Sequence, residues 1–188
     1  MPMKLLMAAI LIFGSGVLSE QIAQVKAPQP APGVEVNLLV DAMNGVWTGK
    51  MTANVPGAPA ESFDWKMNCQ MVAQGAGLSC TNTGEASIGS MSESCLLAFD
   101  PEGKAIHYMC VTSMGEVHDH KGKWVDRKTI EFEPLRAGMM NQPITETLRW
   151  HFEDSDTIDK TSEVKLSDGS TMKFEFTGKR VGGLVPAK

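Results

Sequence analysis

The sequence lacks most of the short signatures that announce an enzyme. It has no Gly-x-Ser-x-Gly elbow, no His-Glu-x-x-His pair and no phosphate-binding glycine loop, so serine hydrolases, zincin-type proteases and P-loop nucleotidases are excluded. No basic patch with interleaved aromatics is present and the net charge is −5, which makes nucleic acid a poor partner. No long helical pattern interrupts the chain, which disfavours a parallel α/β sheet. The one strong apolar run, Leu5 to Phe13, is shorter than the roughly 20 residues of a membrane span. Cysteines are few and widely spaced, with neither a Cys-x-x-Cys redox pair nor a zinc-knuckle spacing.

What is there begins with MPMKLLMAAILIFGSGVLS. Lys4, the apolar run and the small residues after it are the three parts of a secretory signal peptide, with cleavage expected after Ser19. No cysteine follows the run, so a lipid anchor is not expected. The stretch EQIAQVKAPQPAPG, residues 20–33, reads as an extended Pro/Ala-rich tether. Residues 34–188 are the size of one domain, with no second boundary and no repeat. An exported protein, periplasmic or extracellular, is expected. Its even set of cysteines (Cys69, Cys80, Cys95 and Cys110) then favours disulfides.

The domain opens with VEVNLLVDAM, Val34 to Met43, whose apolar spacing predicts a short helix. About ten short strand patterns follow, separated by turn residues, as in an all-β antiparallel meander barrel. SFDWKMNCQMV, Ser62 to Val72, shows the period of two most plainly, with Phe63, Trp65, Met67, Cys69 and Met71 on the dry side. Residues directly opposite in a hairpin share a face. Pairing Met71 with Leu78 sets Cys69 opposite Cys80, and pairing Phe99 with Ile106 around DPEG sets Cys95 opposite Cys110. Those two bridges are the expected connectivity. A Cys80–Cys95 bridge also satisfies parity.

Asn44 to Gly49, N-G-V-W-T-G, opens the first strand, and Phe176 to Arg180, F-T-G-K-R, ends the last. A Gly-x-Trp on the first strand with a late Arg on the last resembles the calycin superfamily of lipocalin-like barrels. The strand set is similar to a secreted bacterial lipocalin-like family of unknown function. The resemblance implies that Trp47 closes one end of the barrel and that Arg180 packs over it. The strand count resembles the fatty-acid-binding and nitrobindin branches. No histidine follows His151, where the haem-binding branch uses one, and no cofactor is expected.

The dry rows give a large, soft lining, with Trp65, Met67, Met71, Phe99, Phe132, Trp150 and Phe174 as expected contacts for a small apolar or amphipathic ligand. Tyr108, Glu146 and Arg180 map to the same interior and are candidates to fix its polar end. The same three groups in an enzyme site, or a filled core in a structural or adaptor domain, are the other readings. His118 and His120 share one side of a strand, as copper or zinc chelation requires, but their polar surroundings, Val117-His118-Asp119-His120, predict a solvated edge or turn and no metal. Asp154, Asp156 and Asp159 lack the glycine and closing glutamate of a calcium loop and predict a solvated hairpin tip.

Overall fold

A computed structural model gives the structure of the protein, and it describes residues 33–139 and 142–182. The expected leader, 1–19, and the tether up to residue 32 lie outside the described residues. A helix, α1 (Val34–Met43), precedes the strands β1 (Gly45–Asn54), β2 (Glu61–Val72), β3 (Gly77–Ala86), β4 (Gly89–Asp100), β5 (Ala105–Thr112) and β6 (Val117–Trp124). Then come β7 (Thr129–Met139), the two-residue β8 (Gln142–Pro143), β9 (Thr145–Asp154), β10 (Thr157–Lys165) and β11 (Thr171–Gly182). Consecutive strands pair antiparallel from β1 to β7 and from β9 to β11, β7 pairs with β9 across the two-residue β8, which pairs only with β7, and β11 returns to β1. The result is a closed, lipocalin-like barrel of ten strands.

The alternation seen in the sequence becomes the two faces of the wall. On β2, Phe63, Trp65, Met67 and Cys69 are buried while Asp64 and Lys66 are exposed. Two glycines let rings lie flat across neighbouring strands. A Cβ at Gly84 would come within 2.3 Å of the Trp65 ring, and one at Gly122 within 2.4 Å of the Phe132 ring. Cys69–Cys80 and Cys95–Cys110 are the disulfides, each between directly opposed residues with Cα atoms 4.1 Å apart.

One end of the barrel is packed shut. Helix α1 buries Val36, Leu39 and Met43, one apolar face at helical spacing, against that end. Trp47 is fully buried and its indole Nε1 donates to Met43 O at 2.9 Å. The Arg180 guanidinium lies 4.5 Å from the Trp47 ring and donates to the carbonyls of Asn44, Ala42, Asp41 and Ser155. A cation over the last carbonyls of a helix also complements its dipole. Above this seal, Met67, Phe132 and Trp150 form a floor with the Tyr108 ring at its upper edge; the Phe132 and Trp150 centroids are 4.7 Å apart, and those of Tyr108 and Trp150 5.0 Å.

Candidate functional site

The other half of the barrel is not filled. A cavity of ≈ 800 Å³ opens among the turns at the end away from α1, within the range of roughly 300–1,000 Å³ typical of small-molecule sites. Trp65, Met91, Leu148 and Phe174 supply apolar wall, and Ile88 stands exposed at the mouth. One side of the lining is polar: Glu116 in the β5–β6 turn near the mouth, His118, Glu146 and Ser162 below it, and His120, Tyr108 and Lys160 at the base.

Of the residues expected to contact a ligand, Trp65, Tyr108, Glu146 and Phe174 line this space. Met67, Phe132 and Trp150 do not: they are the packed floor, with Lys160 lying over Trp150 and Met67 and Tyr108 against Phe132 and Trp150. Met71 and Phe99 also stand apart, packed against the core near the sealed end, where the β2–β3 and β4–β5 turns lie. Arg180 is held at that end and is not brought to Tyr108 or Glu146.

The histidine pair requires a correction. His118 and His120 are not on a solvated edge; they are 8% and 0% exposed and point inward. On β6 they stand opposite Cys110 and Tyr108 of β5, both inward residues, so parity carries them inside. The register of β6 on β7 slips between Asp119 and His120, which places Ala137 opposite His118 and Pro134 opposite His120. Such a bulge aims side chains, and two short neighbours leave the imidazoles room.

Glu146 sits at the centre of this polar side. Its Oε2 lies 2.6 Å from His118 Nδ1, and its Oε1 accepts from Ser162 Oγ at 2.5 Å. His118 Nε2 is 3.3 Å from Glu116 Oε2. Burial opposes a charged imidazole, but hydrogen bonds and charge from Glu116 and Glu146 outweigh it and push His118 up to about 10. Burial likewise would raise Glu146, yet the imidazoles and Ser162 hold its carboxyl well below the usual range. His120 Nε2 pairs with Glu146 Oε2 at 3.2 Å, and its Nδ1 has no hydrogen-bond partner among the described residues.

Lys160, from β10, completes the base. Its Nζ is 4.2 Å from the centre of the Trp150 ring and 3.6 Å from Met67 Sδ. Burial lowers its pKa to about 8 although Glu93 and Glu146 work the other way. Burial raises the Tyr108 hydroxyl well above its ordinary value, with Glu93 and Glu146 adding to the effect, so it stays a neutral donor or acceptor. Lys160 and Ser162 were overlooked in the sequence although they share parity with Ile158 and Val164, the buried row of β10. Asp154, Asp156 and Asp159 lie around the β9–β10 hairpin, where Asp154 Oδ1 accepts from the Asp156 amide in an ordinary turn.

Comparison with solved structures places the fold among known barrels. The chain is similar to Rv2717c of M. tuberculosis, with a TM-score of 0.61 and 13% identity over 80% of this chain and 99% of that one. It is also similar to the S-type phycobiliprotein lyase CPES of Guillardia theta, with a TM-score of 0.52 and 13% identity over 81% of this chain and 99% of that one. Identity this low speaks for the shared fold alone. A search of curated proteins finds no match. A family model described as "Protein of unknown function (DUF1579)" matches residues 34–178, the helix and almost all of the barrel, and the chain belongs to that family.

Proposed function

We propose that this protein is an exported carrier or sensor barrel of the calycin kind that binds one small amphipathic molecule. The apolar body of the ligand lies against Trp65, Met91 and Phe174, and its polar end reaches Lys160, Tyr108 and the Glu146 cluster. One observation carries this reading: the cavity has an oily wall and ends on ionisable groups at its base. Water-exposed surface would not need such groups to be collected, and a filled core would not leave the volume. Methionine in the wall suits ligands of varied shape. The two disulfides and the signal-like first residues support an oxidising, extracytoplasmic setting.

Titration with anilinonaphthalene sulfonate, together with native mass spectrometry of protein purified from its own host, tests the proposal. One equivalent of probe should bind with a blue-shifted emission. Leu148→Trp, which places an indole in the cavity, should abolish the signal while leaving the fold intact. A barrel that comes from its host empty and ignores the probe overturns the reading.

A further inference from the structure

We propose that His118, His120 and Glu146 form a binding site for one divalent transition-metal ion of the zinc class, with an open coordination position facing the cavity. The site goes beyond amphipathic-ligand binding and does not depend on it.

The donor set is the first argument. Two imidazoles and one carboxylate are a common catalytic zinc set, in which three protein ligands leave a fourth position for water or a ligand atom. One ring nitrogen of each of His118 and His120 and one Glu146 oxygen lie within 4.8 Å of one another. With metal–ligand bonds of roughly 2.0–2.1 Å, neighbouring donors around a tetrahedral ion stand about 3.3 Å apart. His120 Nε2 and Glu146 Oε2 are already 3.2 Å apart. The 2.6 Å contact between His118 Nδ1 and Glu146 Oε2 is that of a shared proton. It has to widen by roughly 0.7 Å when a metal takes the proton's place.

The second argument is the second histidine. His120 is fully buried and faces the cavity; its Nδ1 has no partner among the described residues and its Nε2 meets only Glu146 Oε2, at 3.2 Å. A salt bridge between protonated His118 and the two glutamates leaves His120 Nε2 with no contact but the shared Glu146 oxygen; a metal ion gives that nitrogen a bond of its own.

The surroundings supply the third. If His118 Nδ1 ligates, its Nε2–H points to Glu116 Oε2 at 3.3 Å, the carboxylate–histidine–metal arrangement that fixes the ring and raises its basicity. Glu146, ligating through Oε2, keeps its Oε1 on the Ser162 hydroxyl. Charge agrees with a dication. Around the base stand the carboxylates of Glu93, Glu116 and Glu146 and the one ammonium of Lys160. With both imidazoles neutral, the negative excess equals the charge of one divalent ion.

The test uses the full chain, freed of metal by chelator, and Zn2+ alone, with no organic ligand, so that failure of this site and failure of the carrier reading are separate results. Calorimetry and native mass spectrometry should find one Zn2+ per chain. His120→Ala and Glu146→Gln should each weaken it at least about 100-fold, and Glu116→Gln about 10–100-fold, as outer-shell losses do. His107→Ala, on the outer face of the barrel, should change nothing. Because a core variant can misfold, Co2+ is added to the unaltered chain as well; the intense visible bands of four-coordinate Co2+ should appear and vanish when Zn2+ is added. Absence of stoichiometric Zn2+, binding that survives both His120→Ala and Glu146→Gln in folded protein, or a weak six-coordinate Co2+ spectrum overturns the proposal.

Discussion

Lys160 shows how a single side chain sets the energetics of the cavity. Its ammonium sits over an indole and a thioether with no carboxylate among the described residues in an ion pair with it, so the folded state penalises the charge. The amine gives up its proton near pH 8 in the barrel and near 10.5 in the open chain. Between those values the unfolded chain holds more protons, so the stability of the barrel rises with pH across that window. Lys160→Met should therefore be more stable than the parent at about pH 7, by no more than about 3 kcal/mol, and should lack the rise. Urea denaturation of both proteins at several pH values across the window checks this. A parent whose stability is flat where the variant's is flat would contradict it.

At the scale of the strand, the cysteines form one continuous row. Cys69, Cys80, Cys95 and Cys110 lie in register across β2, β3, β4 and β5, and the two bridges staple the outer pairs of that row. The bridged residues are 11 and 15 positions apart, so each bridge should contribute about 3 kcal/mol through the entropy of the open chain. Replacing Cys95 and Cys110 by alanine should lower the denaturation free energy by about that amount, and a non-reducing peptide map should show the two bridges and no Cys80–Cys95 link. The row was legible from alternation alone, because apolar neighbours such as Met67 and Leu78 mark the face on which each cysteine lies. The same parity, carried one turn further, sets His118 opposite Cys110 and His120 opposite Tyr108. The sequence around the histidines hid this, since Val117-His118-Asp119-His120 offers no apolar row to read. Lys160 was hidden in the same way: a polar residue on an inward row looks like a break in the pattern rather than part of a site. The division of the interior into floor and cavity depends on how ring volumes add up across strands distant in sequence, and no local pattern carries that sum.

For the molecule as a whole, closure of one end is the decisive feature. The Arg180 guanidinium ties four carbonyls from α1, the Asn44 junction between α1 and β1, and the β9–β10 turn, and covers Trp47. Arg180→Ala should cost roughly 2–3 kcal/mol, since four charge-assisted bonds, two of them part-buried, and the cover over Trp47 go at once. Arg180→Lys should recover little of it, because an ammonium lacks the planar fork that serves several acceptors. Urea denaturation measures both, and faster amide exchange along α1 should accompany the loss; equal stability of the three proteins would remove the clasp from the account of the fold.

The ring closes between its first and last strands, with Val46 beside Gly182 at the sealed end. A handle joined where the described chain enters or leaves the barrel therefore attaches on the side opposite the mouth. Such a barrel, immobilised on a sensor surface or fused to another domain by either route, presents its opening outward, so every copy in the layer samples the surrounding fluid in the same orientation.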